Sequence, residues 1–218
     1  MVNKFTPKDL KIILSSMKVN RNKGVFKMNK KVIMSILAVV LVVAIGVVVV
    51  GCGNSTPKME FTDTADVINK VVDTYTEENK FFAVGGDINT PVDGKAGLMA
   101  MSDTETINSM LHTNDDLLAE VDEVASYVHA MNANTFTSGA FKLKSAGNAE
   151  TFATSLKDSV LATQWMCGFP EKIVIFTVNG GDYIVYAIGN GDAVEYFKTQ
   201  LTTVMGESAT VVTDEAVA

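Results

Sequence analysis

The chain is poor in the residues that carry most enzyme and metal chemistry. Two cysteines, Cys52 and Cys167, are all it has in 218 residues; if the Cys52 thiol is taken up otherwise, Cys167 has no intramolecular partner, no disulfide framework holds the fold, and stability must come from packing. There are only two histidines, His112 and His129, and no zinc-ligand spacing. No serine sits in a G-x-S-x-G elbow and no glycine-rich phosphate loop occurs. Arginine is missing after Arg21. No cofactor is expected on these grounds.

What is present divides the chain in two. Residues 1–51 hold nine Lys and Arg against one acid, a balance of +8; residues 52–218 hold nine Lys against twenty-four Asp and Glu, a balance of −15. An acidic second part repels polyanions, so nucleic acid is not an expected partner. Its acidity is that of a solvated face rather than of a metal site. Asp87, Asn89 and Asp93 lack the alternating ligands and closing Glu of a calcium loop.

Between the two parts lies Val32–Cys52, VIMSILAVVLVVAIGVVVVGC, twenty residues without a charge followed by a cysteine. About 20 apolar residues suffice to cross the hydrocarbon core as a helix. Met28-Asn29-Lys30-Lys31 before it has the form of a basic n-region, so residues 28–51 read as a secretory signal or as an uncut membrane helix. Val49-Val50-Gly51-Cys52 resembles the lipobox of bacterial lipoproteins. The resemblance implies cleavage after Val49, Val50 and Gly51, with Cys52 lipidated through its thiol at the new N-terminus. The expected location is the outer face of a bacterial cytoplasmic membrane, lipid-anchored; the alternative is a single-pass helix over residues 32–51. Residues 1–27 read either as untranslated or as a basic cytoplasmic extension. Lys23-Gly24-Val25 can be back-translated to a purine-rich ribosome-binding sequence ahead of Met28.

Residues 52–60 form a short polar tether, 61–206 a single globular domain, and 207–218 a tail that is frayed or a weak edge strand. At this length one core is expected. Helical spacing of Val67, Ile68, Val71, Val72 and Tyr75 predicts a helix over 64–76. Ser102 and Glu105 have the form of a capping box opening a helix through Leu111. From Thr113 to about Met131 the stripe Leu117, Leu118, Val121, Val124, Ala125, Val128 predicts a longer one. Alternation at Phe136–Lys144 predicts a strand; Asn148 to Trp165 a helix; Ile173–Val178 and Tyr183–Ile188, joined by Asn179-Gly180-Gly181-Asp182, a hairpin; and Ala193–Val204 the last helix. The fold class is therefore α+β, with a small mixed or antiparallel sheet in β-α-β-β-α order in the C-terminal half, preceded by helices. Both hairpin strands are apolar on successive residues, so the sheet is expected to be covered on both faces or at its rim.

The segment from Asp116 to about Leu201 resembles an uncharacterised domain of small lipoproteins from Gram-positive anaerobic bacteria. The likeness rests on Met131-Asn132-Ala133, Gly139-Ala140-Phe141-Lys142-Leu143-Lys144, Gln164-Trp165, Pro170 and Gly181-Asp182-Tyr183-Ile184-Val185. It agrees with the lipobox and implies no catalytic residues. Trp165, Met166 and Phe169 cluster beside Pro170 and are candidates for a binding patch, or for a hydrophobic plug under the sheet. The expectation is a non-enzymatic binding or accessory module for an envelope protein or a small ligand. The alternative is an extracytoplasmic hydrolase using His112 or His129 with nearby acids, Asp115 and Asp116 among them.

Overall fold

The Ile173–Val178 and Tyr183–Ile188 runs sit at the centre of the chain's architecture because they can be buried on both faces. In a computed structural model, which describes residues 57–165 and 168–217, they form β6 (Lys172–Val178) and β7 (Tyr183–Gly189). Between them Asn179 has φ 55°, Gly180 72° and Gly181 102°, left-handed values that an Asn-Gly-Gly turn tolerates. The lipobox residues Val49, Val50, Gly51 and Cys52, and also Met166 and Cys167, lie outside the described residues.

Before the hairpin come helix α1 (Thr64–Val72), strands β1 (Ala83–Gly85), β2 (Val92–Asp93) and β3 (Gly97–Met99), and helices α2 (Thr104–Leu111) and α3 (Asp115–Ala119). These are followed by β4 (Val121–His129), β5 (Phe136–Leu143) and α4 (Ala149–Leu161). After the hairpin come α5 (Gly191–Met205) and β8 (Ala209–Ala216). The strands make one eight-stranded sheet in the order β2-β1-β4-β5-β7-β6-β8, with β3 pairing the other half of the same β4 edge; every pair is antiparallel.

Alternation along the central strands splits the core into two layers. Val174, Phe176, Val178, Val185 and Ala187 face α1 and α5, whose Val67, Ile68, Val71, Val194, Phe197 and Leu201 complete that side. Ile173, Ile175, Ile184, Tyr186 and Ile188 face the other way, under Ile107 and Leu111 of α2, Leu117 and Leu118 of α3, and Phe152, Leu156 and Val160 of α4. The fold is α+β, and its sheet is covered on both faces.

One expected helix is a strand. The chain from Thr113 to Met131 makes only the short α3 and then enters β4, the strand flanked by β5 on one side and by β1 and β3 on the other. β4 is buried on both faces over Val124–Val128, so its apolar residues do not alternate, and Val121, Val124, Ala125 and Val128 match a helical template as readily as a strand. Smaller differences concern caps. Asp103, not Ser102, caps α2 by accepting from the Thr106 amide, and Asn190 caps α5. Asn148 gives its side-chain amide to Glu120 instead of capping α4. Residues 209–216 are a paired edge strand along the full length of β6. Asp87 organises its own loop, accepting from the amides of Asn89, Thr90 and Ala100, which hold its carboxyl below the usual carboxylate range.

The start of the described chain is fastened to the hairpin turn. Asn179 clamps Met59 from both sides, its Oδ1 accepting from the Met59 amide and its Nδ2 donating to the Met59 carbonyl, each at 2.8 Å. Lys58 pairs with Asp182 at 2.6 Å, and the Ser208 hydroxyl donates to the Pro57 carbonyl at 2.6 Å. Among the described residues no helix is long and apolar enough to cross a membrane.

Candidate functional site

At the end of the sheet opposite the β6–β7 turn, the last residue of β4, the connection to β5 and the C-terminus of α2 enclose a cleft of about 320 Å³. Both histidines of the chain line it. Each arrives there for a local reason.

His112 caps α2 in the left-handed conformation, φ 55°. That bend is held from beneath: the buried Tyr186 hydroxyl donates to the Leu111 carbonyl and the Ser159 hydroxyl donates to the His112 carbonyl, both at 2.8 Å. Its ring meets the edge of Trp165 with centroids 4.5 Å apart. Nε2 of His112 and Nε1 of Trp165 are both buried without a hydrogen-bond partner among the described residues. Burial lowers the His112 pKa, so the ring is neutral near pH 7.

His129 ends β4. Its Nδ1 accepts from the amides of Met131 at 3.3 Å and Asn132 at 3.2 Å, which places the remaining ring proton on Nε2. The ring stacks on Phe81 at 5.4 Å. With Nδ1 committed as an acceptor, His129 has no free lone pair to offer a metal without losing both bonds.

The rest of the cleft wall is largely apolar, Val84, Met110, Val128 and Met131 among it. Met131 is 78% exposed on the rim. Asn132 is shared with a smaller adjoining hollow of about 170 Å³, where Phe169 stands 81% exposed above Asn134, Glu171 and Asn190. Glu171 is engaged there, accepting from the Gly191 amide at 2.8 Å.

The residues singled out in the sequence are thus distributed. Trp165 is half-buried against the α2–α4 layer and His112, while Phe169 stands clear of it beside the cleft. The acids nearest His112 in sequence turn elsewhere. Asp115 accepts from the Asn108 side chain at 2.8 Å, and Asp116 lines a different groove of about 460 Å³ with Glu120, Asn148 and Ser155. Among the described residues the two-histidine cleft has no carboxylate in its wall, and no group of three His, Cys, Asp or Glu side chains could hold a metal ion. What the arrangement offers is an apolar recess with a neutral imidazole beside it. Met110, Met131 and Asn132 were not expected at a site. Their signal is faint: an uncharged Met-Asn-Ala-Asn run between two strands, where loops commonly carry charge.

No family model, curated protein or solved structure matches the chain.

Proposed function

We propose that the chain is a membrane-anchored extracytoplasmic lipoprotein whose domain is a binding or accessory module, and that the cleft lined by His112 and His129 receives an apolar group of an envelope protein or small ligand. The observation that carries the binding role is Met131, a large apolar side chain left exposed on the rim of an apolar recess, with Phe169 exposed over the adjoining hollow that shares Asn132. Exposed apolar groups gathered around a recess and rimmed by amides are the surface pattern of an interaction site. The anchor rests on Val49-Val50-Gly51-Cys52 at the end of the uncharged run. Pro57 and Met59 are fastened beside the β6–β7 turn, and the cleft opens at the other end of those strands.

Two measurements test this. The intact mass of the protein extracted from its host's membranes is expected to correspond to a chain beginning at a diacylglyceryl-modified Cys52, and the Cys52→Ala chain to keep its signal; an uncut chain would replace the lipid anchor with a single-pass helix. For the cleft the probe is anilinonaphthalene sulfonate, read by energy transfer from Trp165, the single tryptophan. Phe169→Ser and Met131→Ser are each expected to weaken dye binding by about tenfold, the effect of removing roughly 1.4 kcal/mol of apolar contact. Dye binding that neither substitution changes would remove the cleft from the proposal.

A further inference from the structure

The hollow beside the two-histidine cleft is built from amides around one aromatic ring. Asn132, Asn134, Thr135, Glu171 and Asn190 line it together with Phe169, which is 81% exposed. Backbone bonds fix these residues in place: the Asn190 amide donates to the Thr135 carbonyl at 2.9 Å and the Glu171 amide to the Gly189 carbonyl at 2.8 Å. Asn134 belongs to the frame, its Nδ2 donating to the Gly168 carbonyl at 3.0 Å. Three neighbouring groups do not. Asn132 accepts from the Asn134 amide through Oδ1 and leaves Nδ2 without a partner, and the Thr135 hydroxyl makes no hydrogen bond among the described residues. Glu171 accepts through Oε2 alone, which leaves Oε1 free. Donors and acceptors thus stand ready on a fixed frame beside an apolar ring, the condition under which binding costs least ordering.

Charge narrows the ligand. Among the described residues no lysine lines the hollow or the cleft, and residues 52–218 carry a balance of −15, so an anion is repelled. Glu171 is the one acid in either wall, and its carboxylate already meets the N-terminus of α5, where the Gly191 amide and the helix dipole balance it. A cation therefore gains little. A peptide strand is also poorly served: Gly189 at this end of β7 is paired with both Phe136 and Lys172, so the sheet offers it no open backbone to join. What fits is a neutral ligand whose groups both donate and accept, with a C–H face to lie on an aromatic ring. Sugar hydroxyls on a pyranose have that chemistry. Asn132 belongs also to the wall of the apolar cleft, with Val128 and Met131. A donor at the border of an apolar recess suits an acetamido group, its carbonyl accepting from Nδ2 and its methyl entering the recess. Taking the cleft as the binding recess inferred above, we propose that hollow and cleft together bind an N-acetylated hexosamine of a neutral glycan. Phe169 is its platform, and Asn132 selects the acetamido group.

Saturation-transfer NMR of the full chain in a nonionic detergent with chitotriose, a neutral trimer of N-acetylglucosamine, tests this, with binding of anilinonaphthalene sulfonate measured in parallel. The expected result is saturable transfer, strongest at the acetamido methyl. Phe169→Ala removes the platform; Asn132→Asp keeps the oxygen that accepts from the Asn134 amide and removes the donor. Each is expected to weaken binding by about tenfold. Ile88→Ala, a change at an exposed loop position outside the hollow, leaves binding unchanged. Cellotriose, which has no acetamido group, is expected to bind at least about tenfold more weakly. If a substituted chain fails to fold, the comparison of the two sugars on the unaltered chain decides. No saturable transfer from chitotriose up to about 10 mM, where a millimolar ligand is largely bound, overturns the proposal, as does binding that both substitutions leave unchanged. Equal binding of cellotriose overturns the acetamido group as the selected feature. Dye binding without chitotriose binding keeps the apolar recess and removes the glycan, whereas failure of both probes removes both. Binding of an acetylated, amidated leucine dipeptide in place of chitotriose overturns the glycan in favour of a peptide.

Discussion

His112 shows how a single side chain acquires a property that its sequence neighbours do not suggest. Followed by Thr113, Asn114, Asp115 and Asp116, it looks poised beside two carboxylates, which would favour its charged form. The left-handed cap turns it instead against Trp165 and the apolar cleft, and burial favours the neutral ring. A histidine whose folded pKa is depressed contributes stability that is present above its unfolded value, about 6.5, and is lost as pH falls through the folded value. His112→Asn keeps a residue that tolerates positive φ and removes the titration. Unfolding by urea is therefore expected to show the unaltered protein losing stability relative to His112→Asn as pH is lowered below about 6.5. A difference between the two that stays constant from neutral to acid pH would mean that His112 titrates as it does in the unfolded chain.

At the scale of elements, the last strand is attached by more than its ladder. Lys172 on β6, Glu195 and Lys198 on α5 and Asp214 on β8 close a ring in which each lysine touches both carboxylates. The lysine contacts hold the Glu195 and Asp214 carboxyls below their ordinary values. Depressed carboxylates stabilise the fold above their unfolded pKa values, about 4, and cease to do so as pH falls through the folded ones. The ring is partly solvated, so screening leaves Asp214 worth about 1 kcal/mol or less. Asp214→Asn is expected to cost that amount near pH 7 in denaturant midpoint, and nothing once acid has protonated the native carboxyl. The same scale shows which elements could be read in advance. The β6–β7 hairpin, β5 and α5 were legible because turn chemistry or a clean period marks each of them. β4 was not, since a strand buried on both faces from Val124 to Val128 shows no alternation, and the spacing of Val121, Val124, Ala125 and Val128 also satisfies a helical stripe. The site was half legible for a related reason. His112, His129, Trp165 and Phe169 stood out by rarity or size, but their grouping depends on β4 ending at His129, and a helix to Met131 would have separated them.

For the whole molecule the governing quantity is charge. Residues 52–218 carry fifteen more acids than lysines, and the ion pairs on the surface, such as Lys95 with Asp73 and Lys80 with Glu77, engage only a few of them. Salt acts on this surface in two opposite ways. It weakens the exposed pairs, each worth well under about 1 kcal/mol. It also screens the repulsion among the many acids left over, which opposes the compact state more than the expanded one. With the excess this large the second effect wins. The melting temperature of the domain is expected to rise by several degrees between about 10 mM and about 200 mM sodium chloride, over which the screening length shrinks from roughly 30 Å to under 10 Å. A melting temperature that falls with salt would show that the lysine pairs outweigh the acidic excess.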